Sequence, residues 1–173
     1  GEFKVMSLSS YGNPIYEKEM DKIFDCEQLK INSSYFEFHK NPERSFSEML
    51  IKIFGKPYLN LNIKENFQKY SNIASSAQLI LKKSVKNLIS KAKKLTNKNK
   101  IVLTGGVALN CKMIHELSKQ NIFEELIVPP SPGDSGSAIG AANFAYFYEN
   151  NKFLEDVGLF PGPDKKKLIK NLN

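Results

Sequence analysis

Ile101-Val102-Leu103-Thr104-Gly105-Gly106-Val107-Ala108-Leu109-Asn110 decides the fold of this chain. A short apolar run enters a Gly-Gly turn and is expected to leave as a helix over Val107–Gln120. Further along, Glu125-Leu126-Ile127-Val128 enters Pro129-Pro130-Ser131-Pro132-Gly133-Asp134-Ser135-Gly136-Ser137 and is expected to leave as a second helix, Ser135 to Asn150. Two strand–turn–helix units predict an α/β domain with parallel strand pairs. They also predict two helix N-termini near one end of a sheet. Such termini carry unpaired N–H groups and partial positive charge, which suit phosphates. Asp134 adds a carboxylate, which suits a cation. The expectation is a nucleotide and a metal in one cleft.

Each turn also has a simpler reading. Gly105-Gly106 fits a tight strand-to-helix turn with close packing equally well, because glycine lacks Cβ. Asp134 fits a helix N-cap, approached through the stiff Pro130 and Pro132. One carboxylate oxygen can cap while the other binds a cation, yet one carboxylate does not hold a metal by itself. Asn110, expected one turn into its helix, can donate to and accept from a nucleoside.

Outward from these turns lies a long helix, about Lys64 to Leu95. Phe67, Tyr70, Ala74, Ala77, Leu81, Val85, Leu88, Ala92 and Leu95 recur at steps of three and four, which marks one packing face. A shorter helix is expected over Phe46–Phe54. Ile15-Tyr16 and Ser34-Tyr35-Phe36-Glu37-Phe38 read as strands from their aromatic content and alternation. Gly1 to Pro14 reads as a helix or tight connection. Pro161-Gly162-Pro163 and the lysines after it read as a linker.

The chain carries 25 Lys and Arg against 18 Asp and Glu, a net charge of +7. A nucleic-acid partner is not expected, because Arg44 is the only Arg and planar guanidinium forks favour such contacts. No apolar run is long enough for a membrane helix. Cys26 and Cys111 form no CxxC, and Cys111 is expected to pack as a small hydrophobe. A reducing, cytoplasmic setting follows as the expectation. His115 is expected at the surface. The opening residue, Gly1, reads as the start of a piece cut from a longer protein.

Four segments resemble one family. Gly105-Gly106-Val107-Ala108-Leu109-Asn110-Cys111 matches the GGVALNC segment of the O-carbamoyltransferases of the nodulation and antibiotic-tailoring type. Pro129 to Ala142 is similar to their P-x-x-GD-x-G-x-x-x-GAA segment. Gly1 to Gly12 resembles their GEGKVMGLAPYG, with Phe3, Ser7, Ser9 and Ser10 in place of Gly, Gly, Ala and Pro. Ile73-Ala74-Ser75-Ser76-Ala77-Gln78 resembles their IAAS-x-Q helix. The order is the family's.

The resemblance implies a fold like actin, sugar kinases and Hsp70 (RNase H-like), in its Kae1-like version. Residues 1–158 would be the second lobe, with a mixed sheet and flanking helices, and residues 159–173 a linker toward a YrdC-like domain. It implies an enzyme that uses ATP and carbamoyl phosphate to form a carbamoyl-adenylate and passes the carbamoyl group to a hydroxyl. Gly105, Gly106 and Asn110 would hold the adenosine, Glu2 and Lys4 would touch the ribose, and Gly136 would let its loop approach the ligand. Asp134 would be one ligand of a divalent metal, iron or similar. The paired metal-binding His and the first lobe would lie outside this chain, which would not turn over alone. Two other expectations stand beside this one: a non-catalytic nucleotide-binding or interaction domain, and a relative of the tRNA threonylcarbamoyl-transfer machinery.

Overall fold

The computed structural model describes residues 1–41, 43–57 and 63–153. The expected linker and the Asn-rich turn at 60–62 lie outside the described residues. The chain forms two compact units. The first comprises Gly1–Ile101 with Asn110–Leu126, and the second Val102–Leu109 with Ile127–Asn173.

The first unit is built around the long helix. The periodic stripe that predicted it gives α4, Ile63–Thr96. Around α4 pack α1 (Glu2–Leu8), the 3-10 turn Ser9–Tyr11, α2 (Glu17–Ile23) and α5 (Cys111–Ser118). The apolar periodicity found the helix, but not its most buried positions. Ser71 and Ser76 are fully buried and Gln78 nearly so, whereas Leu88 is half exposed and Leu95 almost wholly exposed. Small polar side chains are what let neighbouring backbone come close. Gly12 shows how close: a Cβ there would lie 2.0 Å from the Ser71 carbonyl oxygen. The hydroxyl of Ser76 donates to the Asn72 carbonyl and accepts the Tyr16 N–H, so its burial is compensated.

On one side of α4 sits an apolar cluster of Met20, Ile23, Tyr35 and Ile80, flanked by Phe24, Phe36, Leu50, Ile53 and Phe54. Burying a side chain such as Ile23 or Ile80 contributes about 1.5–3 kcal/mol. α3 (Glu48–Phe54) starts where Ser47 accepts the Met49 N–H, and ends at Gly55, whose φ of 84° needs glycine. It lies within the expected 46–54 helix. On the other side of α4, Met113 and Leu117 of α5 are buried one turn apart, and Ile89 is buried beside Leu117 along one small cavity.

Two expected strands are absent from the described residues. Ile15 and Tyr16 form a turn. Ser33–Tyr35 is a 3-10 turn, because Asn32 Oδ1 accepts the Ser34 N–H and offers the backbone an alternative to a ladder. Phe36 keeps only an isolated bridge to Phe46. A two-residue antiparallel pair does form nearby, β1 (Phe24–Asp25) with β2 (Lys30–Ile31).

β3 (Lys100–Val102) and β4 (Glu125–Ile127) form a second two-stranded pair. In the first unit the Glu125 N–H donates to the Asn99 carbonyl, and in the second the Leu103 N–H donates to the Ile127 carbonyl. Both registers rise together, so the pair is parallel, as the strand–turn–helix reading expects. The described strands thus make two separate pairs, not one mixed sheet. The second unit carries α6, Gly136–Asn150, which contains no buried residue.

Candidate functional site

In the second unit the two glycine turns meet. Gly105 takes a φ of 92°, a conformation open to glycine at little cost, and its N–H donates to the Pro132 carbonyl at 2.6 Å. This bond ties the Gly-Gly turn to the Pro-Gly-Asp-Ser-Gly turn, so these two motifs do come together. A Cβ at either glycine meets nothing within 4 Å, so packing requires glycine at neither position, and only Gly105 has the positive φ that does.

The Gly-Gly turn does not lead straight into a helix. Gly106–Leu109 is a 3-10 turn, and α5 starts only at Cys111. The reason is Asn110. Its Oδ1 accepts the Met113 N–H at 3.0 Å, which makes it the N-cap of α5 instead of a residue one turn inside. Such a cap is worth about 1 kcal/mol. Within the first unit, the same side chain makes a reciprocal amide pair with Gln78 of α4. Asn110 Nδ2 donates to Gln78 Oε1 and Gln78 Nε2 donates to Asn110 Oδ1, both at 2.9 Å. Sequence reasoning assigned Gln78 no role. Its signal was a long polar side chain standing next to Ala77 on the packing side of a helix.

The N-terminus of α6 also departs from expectation. Its N-cap is Ser135, which makes no side-chain capping bond, and Asp134 does not cap either. The first N–H groups are met by backbone: Gly136 N–H donates to Gly133 carbonyl, and Ser137 N–H to Asp134 carbonyl. Those two donors are spent, which weakens the simple phosphate-binding picture. Gly136 has a packing reason of its own, since a Cβ would lie 2.2 Å from the Ser131 carbonyl oxygen. The Asp134 carboxylate is exposed and has no partner among the described residues. No three His, Cys, Asp or Glu side chains gather to hold a metal there or elsewhere among them. One carboxylate does not hold a divalent cation, so Asp134 is a donor without a ligand set here.

Glu2 and Lys4 lie on α1, and both are exposed. A bond from its own backbone N–H holds the Glu2 carboxyl below the usual range. α1 and the start of α5 touch within the first unit: Met6 Sδ lies 3.8 Å from Cys111 Sγ, and Lys112 Nζ donates to Ser9 Oγ at 2.9 Å. Cys111 is exposed, contrary to the expected packing role, because the cap at Asn110 places it at the first position of a short helix. His115 is exposed, as expected. A groove of about 540 Å³ beside α4, lined by Asp21, Asp25, Lys83 and Lys86, takes in none of the sequence-predicted residues.

Comparison with known proteins matches residues 1–143 to a family model described as "Carbamoyltransferase N-terminus". The chain is 30% identical to an uncharacterized protein of Synechocystis over 168 residues, covering 95% of the chain and 26% of that protein. It is 27% identical to nodulation protein NolNO of Sinorhizobium fredii, covering 82% of the chain and 19% of the relative. It is also 27% identical to nodulation protein NolO of Bradyrhizobium diazoefficiens, covering 82% and 24%. The chain therefore spans about a quarter or less of the length of these relatives. With the match running through α1, the Gln78 helix, the Gly-Gly turn and the Asp134 turn, the chain belongs to the carbamoyltransferase N-terminus family.

Proposed function

We propose that this chain is part of an ATP-dependent O-carbamoyltransferase. The enzyme moves a carbamoyl group from carbamoyl-adenylate, made from ATP and carbamoyl phosphate, to a hydroxyl of a small molecule or saccharide. The observation that carries this reading is the family match across residues 1–143. In the transfer step the acceptor oxygen bonds to the carbamoyl carbon. AMP leaves with the electron pair of the broken bond, and the hydroxyl proton is released. The chain's part in this is to bind and position.

In the first unit Asn110 contacts the adenosine moiety, with Glu2 and Lys4 toward the ribose. In the second unit the backbone at Gly105 and Gly106 approaches the nucleotide, and the loop at Gly136 approaches it closely. Asp134 gives one oxygen to a divalent metal whose other ligands lie outside this chain. The described residues supply no second ligand, so metal binding by this chain alone is not part of the proposal. The fold is the actin-like, RNase H-like one, of which these residues form a lobe in the Kae1-like version. The remaining lobe and a YrdC-like domain belong to the same longer protein, in the cytoplasm.

The test is an NMR titration of the labelled chain with ATP and with AMP, which detects millimolar binding. Shifts at Gly105, Gly106 and Asn110 are expected. A folded chain with no shifts there removes the nucleotide roles assigned to these residues. A second reading, a non-catalytic nucleotide-binding domain, is favoured by the isolation of Asp134. Transfer by the native full-length protein decides between the two, and Asp134→Ala in it tests the ligand role: abolished transfer supports that role, and unchanged transfer removes it.

A further inference from the structure

The amide pair between Asn110 and Gln78 limits what Asn110 can recognise. An Asn side chain has two acceptor sites on Oδ1 and two hydrogens on Nδ2. Met113 N–H and Gln78 Nε2 fill Oδ1, and one Nδ2 hydrogen goes to Gln78 Oε1. The orientation is forced. A backbone N–H at Met113 requires an acceptor, so Oδ1 faces it, and Gln78 must then turn its Nε2 toward the same oxygen. Gln78 is only 5% exposed, so it has little water to exchange these bonds with. One Nδ2 hydrogen of half-buried Asn110 is left for a ligand, and no acceptor is left.

We propose that Gln78 is a positioning residue that holds Asn110 as a single hydrogen-bond donor, so that the ligand atom Asn110 meets is an acceptor. This rests on the reading of Asn110 as a nucleoside contact. On adenosine the acceptors are ring nitrogens and ribose oxygens, and the exocyclic amine is excluded. Gln78 thereby sets the specificity of a residue on a different element.

The test uses the ¹³C,¹⁵N-labelled chain, AMP, and purine riboside 5′-monophosphate, which lacks the exocyclic amine. The native protein should show one Asn110 side-chain amide proton protected from exchange and scalar-coupled across the hydrogen bond to Gln78. Absence of that coupling overturns the proposal whatever the ligand does. Asn110→Ala and Gln78→Met should each weaken AMP binding about three- to tenfold, the worth of one hydrogen bond. The double variant should be no weaker than the weaker single one, and the amine-free analogue should show the same losses.

If Asn110→Ala weakens binding and Gln78→Met does not, the positioning role is overturned and the nucleotide site stands. If the loss vanishes with the amine-free analogue, Asn110 accepts from the amine and the donor assignment is overturned. If Asn110→Ala leaves AMP binding unchanged, the nucleotide reading falls and takes this proposal with it. Should Gln78→Met fail to fold, Gln78→Glu replaces it. A protonated carboxyl carries one donor and one acceptor, as the amide does, whereas the ionised form only accepts. AMP affinity in that variant should then fall as pH rises through the carboxyl range while the native protein stays flat. A flat variant profile overturns the proposal.

Discussion

Single residues at the turns and along α4 carry most of the specific information. Gly12 is held by space, not by conformation. Its φ of −120° is ordinary, yet a Cβ would strike the carbonyl of Ser71 and the Asn72 nitrogen, both backbone and unable to step aside. Gly12→Ala should therefore destabilise the chain by about 1–3 kcal/mol, as overpacking does. Thermal unfolding should show a midpoint lowered by about 2–4 °C per kcal/mol for a chain of this size. A midpoint within error of the native one would show that α1 and its 3-10 turn separate from α4 at no cost. Asn110 was legible in the sequence as an important residue, but its partners were not. Gln78 lies far away along the chain, and only the packing of α5 on α4 brings the two amides together.

Elements are joined by a few ion pairs, of which Lys83 to Glu17 links α4 with α2. The hydrogen bond to Glu17 raises the Lys83 ammonium above its ordinary value. A raised lysine contributes its stability in full below the unfolded value of about 10.4, and that contribution is lost as pH climbs through the folded value. Both side chains are more than a third exposed, so solvent screening keeps the pair near the surface range of about 0.2–1 kcal/mol. Lys83→Met should lower the urea midpoint slightly and evenly between pH 6 and 9. The difference from native should shrink above about pH 10.4. A difference that grows with alkaline pH would contradict the pair. Lys100 and Glu125 bridge β3 and β4 in the same way, with the lysine again raised by its bond to the carboxylate.

At the scale of the whole molecule, the burial is uneven. Along α4, from Ser71 to Ile80, every described side chain is buried or half-buried. α6 has no buried residue, with Phe144 65% and Tyr148 84% exposed. An apolar helix with so little cover has little tertiary packing to hold it, and a helix of 15 residues is marginal in water alone. Amide hydrogen exchange should rank the elements accordingly: slowest along α4 between Ser71 and Ile89, fastest in α6. Protection of α6 equal to that of α4 would show that the helix is covered in solution.

The sequence by itself determined the elements with strong local signals. The period of α4, the short helix expected over Phe46–Phe54, and the two apolar runs before glycine turns are encoded within a few residues of where they act, so they could be read without a structure. The four family segments were legible for the same reason, as short contiguous strings. What only the tertiary structure decided depends on residues distant in the chain. The start of α5 moved to Cys111 because a side chain outcompeted the backbone at Asn110. Ser71 and Ser76 are as deeply buried as any apolar side chain of α4, and at Ser71 neighbouring backbone needs the room, which no hydrophobic period reports. The two glycine turns are tied by Gly105 and Pro132. Asp134 neither caps nor gathers ligands among the described residues, since capping and coordination depend on where other atoms fall in space.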